Sequence, residues 1–275
     1  MMHKLLLLII QVLLVSSSCV QSTDANTSIT DNDINRPTPA IHDGEIKQEI
    51  PIGASILIET YPRFIKDYKD GKLFLSDGTS IKYDSGNNKS FLDKLDRAEP
   101  VDIFAWEYKK TKPNYCEDPG RGRCDYLFKL MYGSTSAEVQ KRMETVDWFG
   151  TKVKFSSVNG AADSLRVVCQ EIKKHQNLLK YTKTAGTYNW RKISGTNRQS
   201  AHSYGIAIDI GVAQSNYWKW DNPHKKETDK IQYNNRIPIE LVDIFERHGF
   251  IWGGRWYHYD TMHFEFRPEL LKEPY

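Results

Sequence analysis

Two stretches decide the fold: Ser200-Ala-His202-Ser-Tyr-Gly205-Ile-Ala-Ile-Asp209-Ile210 and, further on, Asp260-Thr-Met-His263-Phe-Glu265-Phe266. In the first, Ile206, Ile208 and Ile210 alternate with Ala207 and Asp209. A period of two belongs to a strand with one apolar face, so Asp209 points away from the isoleucines. Gly205, just ahead of the strand, lets the backbone turn tightly and brings His202 back beside Asp209. In the second stretch Met262, Phe264 and Phe266 alternate with His263 and Glu265, which offers His263 from another strand to the same cleft. Two imidazoles and a carboxylate form a three-ligand set suited to Zn2+ that leaves a fourth position open, as catalysis requires.

Asp260 lies three residues before His263, at the mouth of that strand. There it can take the proton of an attacking water and pass it to a leaving amine. Gly186-Thr-Tyr-Asn-Trp-Arg191 and Gly195-Thr-Asn-Arg198 supply two arginines, either of which could face a developing oxyanion or a substrate carboxylate. His258, two residues before Asp260, is a rival ligand, but on its tyrosine-rich loop it reads better as a rim residue touching substrate or solvent. Trp218, Trp220, Trp252 and Trp256 frame the site in sequence, as groove wall or as packing.

The remaining chain bounds the classes of function. Of 275 residues, 39% are hydrophobic, enough for a real core, and 38 basic against 35 acidic residues leave a net charge of only +3. With no basic block, nucleic acid is excluded as the expected partner. The chain starts with His3-Lys4, an apolar run from Leu5 to Val15, and then Ser16-Ser-Ser18-Cys19. This reads as an export signal over 1–19, too short to span a bilayer comfortably. Cys19 resembles a lipobox cysteine, although Ser16 stands where a leucine is usual; membrane attachment through a lipid on Cys19 and plain secretion are both open.

From 20 to 48 the Thr, Asp, Asn, Ser and Pro content suits a flexible linker. Residues 49–158 form a region of unread role expected to pack on a catalytic domain over 159–275. Within it, Lys72-Leu-Phe-Leu-Ser-Asp77-Gly78-Thr-Ser-Ile-Lys-Tyr83 predicts a hairpin around Asp-Gly. Cys116 and Cys124 flank a turn-rich loop, and an oxidising compartment makes a disulfide between them plausible. Cys169 falls in the apolar stripe of a helix predicted from Ala161 to His175 with Asn159 as N-cap, and reads as a buried thiol.

The ordered set Ser200-x-His202-x-x-Gly205-x-Ala207-x-Asp209 with Asp260-x-x-His263-Phe-Glu265 closely resembles the zinc D-Ala-D-Ala carboxypeptidase and L-Ala-D-Glu endopeptidase family, phage endolysins included. The resemblance covers the chain from the helix near Asn159 to the C-terminus. It implies His202, Asp209 and His263 as zinc ligands and Asp260 as the catalytic acid/base. It also favours Arg191 over Arg198 as the substrate arginine, sets Ser200 near the substrate, and puts Glu265 behind the ligands. The dipeptidase branch carries a glutamate where this chain has Asp260. The fold implied is α+β, a small antiparallel sheet holding the metal with helices on its other side, as in the D-Ala-D-Ala peptidases and Hedgehog signalling domains.

Three functions compete. One is an exported zinc peptidase cutting peptidoglycan stem peptides, as a carboxypeptidase or an endopeptidase. Another is a zinc-containing cell-wall binding module without turnover, against which Asp260 and Arg191 argue, since a binder needs no base. A third is an amidase cutting the sugar–peptide link. A monomer is the simplest expectation for an enzyme working on an insoluble polymer.

Overall fold

The alternation at 206–210 and 262–266 does produce two strands, and they are neighbours in one antiparallel sheet. The computed structural model describes residues 49–272; the expected export signal, Cys19 and the linker over 20–48 lie outside the described residues. The described residues all fall in one compact unit.

The described residues open with helix α1 (Ile52–Thr60) and strands β1 (Ile65–Lys69), β2 (Lys72–Leu75) and β3 (Ser80–Lys82). Helices α2 (Phe91–Asp96), α3 (Asp125–Tyr132) and α4 (Ser136–Lys141) follow, then strands β4 (Met143–Trp148) and β5 (Thr151–Ser156). Helix α5 (Ala161–Ile172) leads to strands β6 (Thr184–Gly186) and β7 (Ala207–Ile210). The chain closes with helices α6 (Trp218–Asp221) and α7 (Ile239–Arg247) and strands β8 (Phe250–Trp252) and β9 (His263–Phe266). Among the described residues this is a mixed α and β architecture with three small sheets, β1-β2-β3, β4-β5 and β6-β7-β9-β8, all antiparallel.

The β6-β7-β9-β8 sheet has two unlike faces. Phe264 stacks on Phe245 of α7 with ring centroids 3.9 Å apart, and Phe250 meets the same ring edge-on at 5.4 Å. Such pairs add about 0.5–1.5 kcal/mol each beyond the area they bury. Helix α7 buries Leu241, Val242, Ile244 and Phe245, and α5 packs on both α7 and the β4–β5 hairpin. With the apolar face covered by α7, the alternation sends Asp209, His263 and Glu265 to the other face.

The Asp77-Gly78 hairpin forms as predicted, with Lys72 opposite Lys82 and Leu73 opposite Ile81. The helix around Cys169 forms too, and its thiol is buried, but its ends differ from expectation. It stops at Ile172, and His175 instead meets Glu240, Nδ1 to Oε1 at 2.8 Å. Asn159 does not cap it: at φ 56° its side chain turns to Tyr132, and Gly160 takes the N-cap position.

The expected Cys116–Cys124 bridge is not formed; both are free thiols. Cys124 is buried at the N-terminus of α3, and Cys116, at φ 55°, turns its Sγ toward Glu227 O at 3.8 Å. Bonds to the C-terminal part of the chain hold the intervening loop instead. Pro119 O accepts from Trp256 Nε1 at 2.6 Å, and Gly120 O from Arg267 Nη1 at 2.7 Å.

Candidate metal centre

The register of β7 against β9 sets Asp209 directly opposite His263 and Ala207 opposite Glu265. Side chains opposed in this way start about 4.5–5.5 Å apart at Cβ, and here Asp209 Oδ1 lies 3.0 Å from His263 Nδ1. His202 comes from a short turn, Ala201–Tyr204, that ends on Gly205 at φ +66°. A Cβ on Gly205 would lie 2.4 Å from Met143 Cε, the end of a flexible side chain that can swing aside, so it is the left-handed backbone that calls for glycine. The turn brings His202 Nε2 to 3.2 Å from Asp209 Oδ2. One ligand atom from each of His202, Asp209 and His263 lies within 4.8 Å of the others.

The outer nitrogen of each imidazole is committed. His202 Nδ1 sits 2.6 Å from the Thr187 carbonyl, which only accepts, so Nδ1 carries a proton and Nε2 is the nitrogen turned toward Asp209. His263 Nε2 faces Glu265 Oε2 at 3.4 Å, leaving Nδ1 for the cleft. Glu265 is fully buried. Burial alone would raise its carboxyl, but the Arg123 guanidinium, with His263 and Arg267, holds it well below the carboxylate range.

Three carboxylates, those of Asp209, Asp260 and Glu265, meet in this space; Arg123 and Arg267 pair with Glu265, which leaves Asp209 and Asp260 to the two imidazoles. Burial opposes ionisation of Asp209, yet His202 and His263 hold it far below its usual range. Asp260 moves the other way: burial and the Asp209 charge push it up to about 7. Burial would lower His263, but Asp209, Glu265 and Asp260 push it up to about 10. A divalent cation would relieve the repulsion between Asp209 and Asp260. Two imidazole nitrogens and a carboxylate are a donor set that suits zinc. Asp260 Oδ1 is buried without a hydrogen-bond partner, a further sign that the site is built for a group beyond the protein's own.

The triad opens on a cavity of about 400 Å³ that is also lined by Asp260, Arg191, Ser200, Arg198 and His258. Arg191 is exposed there, with its backbone amide on Ser203 Oγ at 2.9 Å; among the described residues its guanidinium has no acidic partner. Arg198, by contrast, is engaged: Nη2 meets Glu227 Oε1 at 3.0 Å and Nε meets Asp96 Oδ1 at 3.4 Å. Ser200 is buried at the cavity wall. Trp218, Trp220 and Trp256 line the cavity, whereas Trp252 lies in the core, stacked on Phe264 with Nε1 on Thr261 O.

His258 corrects the expectation of a solvent-facing rim residue, being fully buried. Its Nδ1 lies 2.6 Å from Asp118 Oδ2, its backbone amide donates to Asp118 Oδ1 at 3.0 Å, and Trp218 packs edge-on at 4.8 Å. Its Nε2 has no partner. Burial alone would raise the Asp118 carboxyl, but the charge of Arg121 and the bonds from His258 hold it down to about 2. Asp118, Arg121 and Arg123 all reach this site from the loop between the two cysteines, and the sequence reading missed them. The only signal was the density of charge in Glu117-Asp-Pro-Gly-Arg-Gly-Arg123.

No curated protein matches the chain. Residues 194–266 do match a family model described as D-alanyl-D-alanine carboxypeptidase, a segment that holds His202, Asp209, Asp260, His263 and Glu265. The resemblance read from the motifs is thereby borne out over that segment: residues 194–266 are similar to the D-alanyl-D-alanine carboxypeptidase family of peptidases.

Proposed function

We propose that the chain is a zinc metallopeptidase hydrolysing a peptide bond of peptidoglycan stem peptides, of the D-Ala-D-Ala carboxypeptidase or L-Ala-D-Glu endopeptidase type. The observation that carries this reading is the cross-strand pair Asp209–His263 with His202 beside it, open to a cavity that also holds Asp260. His202 Nε2, Asp209 and His263 Nδ1 are the groups that would hold zinc. Bound there, the ion would supply Lewis acidity, polarising the scissile carbonyl and acidifying an attacking water.

The remaining chemistry belongs to side chains of this protein. Asp260 takes the proton of the attacking water on its unpartnered Oδ1 and returns it to the leaving amine. Arg191, free of acidic partners among the described residues, pairs with the substrate carboxylate or the developing oxyanion. Ser200 and His258 stand on the cavity wall where the substrate would lie, and Arg198, tied to Glu227 and Asp96, shapes that wall. Trp218 and Trp256 keep that wall apolar.

In this reading the protein is exported to the cell envelope or secreted, with residues 1–19 as signal and Cys19 as the lipid site if anchored, and it acts as a monomer. Support for export is the sequence of those residues. The fold would be that of the D-Ala-D-Ala peptidases and Hedgehog signalling domains, supported by the α7-backed sheet. The test is chelation and reconstitution on muropeptides: hydrolysis should vanish on stripping metal and return with stoichiometric Zn2+. Hydrolysis that persists in fully stripped protein contradicts the proposal.

A further inference from the structure

We infer that Arg123 is a positioning residue of the metal centre, acting through Glu265 on His263. The inference rests on the zinc reading above. Arg123 lies in the loop between Cys116 and Cys124, outside the family-matched residues 194–266.

Its guanidinium grips both oxygens of Glu265, Nε on Oε1 at 2.9 Å and Nη2 on Oε2 at 2.5 Å. Arg267 reaches only Oε1, at 3.1 Å. Oε2 is the oxygen that faces His263 Nε2, at 3.4 Å. Of the two buried cations on Glu265, therefore, Arg123 alone holds the oxygen that orients the imidazole. The Glu265 side chain is fully buried and that of Arg123 is 10% exposed, so water offers little replacement. A surface pair would be worth little, but a buried two-pronged guanidinium–carboxylate pair fixes the carboxylate plane, which a lysine cannot do.

The arginine is also delivered from a fixed frame. Its loop is bonded to Trp256, Arg267 and His258 through Pro119, Gly120 and Asp118. With Glu265 locked, His263 keeps its proton on Nε2 and presents Nδ1 toward Asp209. Without the lock the imidazole loses its orienting acceptor. Groups that orient a ligand in this way typically change metal affinity by about 10–100-fold.

The test measures zinc affinity of the intact, metal-stripped chain by competition with a chromophoric chelator. Wild type is compared with Arg123→Gln, Arg123→Lys and His202→Ala, and circular dichroism and melting of the metal-free proteins report folding. Arg123→Gln should bind zinc about 10–100-fold more weakly, and Arg123→Lys should lie between it and wild type. If Arg123→Gln does not fold, Arg123→Lys decides, because it keeps the charge and loses the fork. A folded Arg123→Lys with wild-type affinity overturns the inference and leaves the pair a tether between loop and strand. His202→Ala separates the two claims: if it binds zinc as tightly as wild type, the metal reading itself fails. If it loses zinc while Arg123→Lys does not, only the role of Arg123 falls.

Discussion

Asp209 and His263 face each other across β7 and β9 with Oδ1 and Nδ1 3.0 Å apart, and every other feature of the site is arranged around that pair. A period-two strand offers no freedom here: shifting the register by one residue would put His263 on the α7 face, among Phe245 and Phe250. The strand pairing that packs Phe264 on Phe245 is the same pairing that builds the metal site.

Metal stoichiometry follows directly. Wild-type protein should retain one zinc per chain after dialysis, and His202→Ala, Asp209→Ala or His263→Ala should each weaken binding by more than about 100-fold, since the loss of a direct ligand exceeds that of an orienting group. Elemental analysis after dialysis checks this. Retention of zinc by all three variants would remove the triad as the site.

Asp260→Asn should separate chemistry from binding. The substitution keeps the shape and removes the base, so kcat should fall by about 10²–10⁴ while zinc content stays at the wild-type level. A kcat within a few-fold of wild type would take the proton-transfer role away from Asp260.

The two arginines should behave differently. Among the described residues Arg191 has no acidic partner, so Arg191→Ala should lower kcat/KM by about 10²–10³ with an unchanged melting temperature. Arg198 is bound to Glu227 and Asp96, so Arg198→Ala should destabilise the fold by about 1–3 kcal/mol, since it leaves half-buried Glu227 with one fewer partner. Paired kinetics and denaturant titrations read both. Reversed behaviour would make Arg198 the substrate arginine.

Asp118 gives a pH dependence of stability. Its folded pKa, about 2, is depressed below the unfolded value, so its contribution is complete above about pH 4 and is lost as pH falls through about 2. The depression corresponds to about 2.5 kcal/mol. Urea unfolding at pH 7, 4 and 2.5 should show wild type losing its advantage over Asp118→Asn across that window. A constant difference between the two proteins would mean that Asp118 is not ionised by the fold.

The strands that carry the site were legible because alternation of isoleucines and phenylalanines with Asp209, His263 and Glu265 is local information. The turn at Gly205 and the Asp77-Gly78 hairpin were legible for the same reason: a left-handed position and a two-residue turn announce themselves in sequence. The β4–β5 hairpin was not, since it turns on Phe149-Gly150 with Phe149 at φ 48°, a conformation its residue type does not advertise. Nor did the sequence show what the loop between Cys116 and Cys124 does. Two cysteines around a turn suggest a bridge, whereas the loop is held by Trp256, His258 and Arg267, partners more than a hundred residues away. His258 was misread as exposed because the Asp118 that draws it inward lies in that same loop. Contacts of long sequence separation, which no local pattern encodes, account for these misses.

The most direct test of the central claim is digestion of purified muropeptides by the mature, zinc-loaded protein beside Asp260→Ala, with product masses as the readout. The account predicts that wild type releases terminal D-alanine or splits the stem peptide while the variant, equally loaded with zinc, leaves the substrate intact. Stoichiometric zinc in both proteins with no cleavage by either would contradict it and make this chain a zinc-containing binding module.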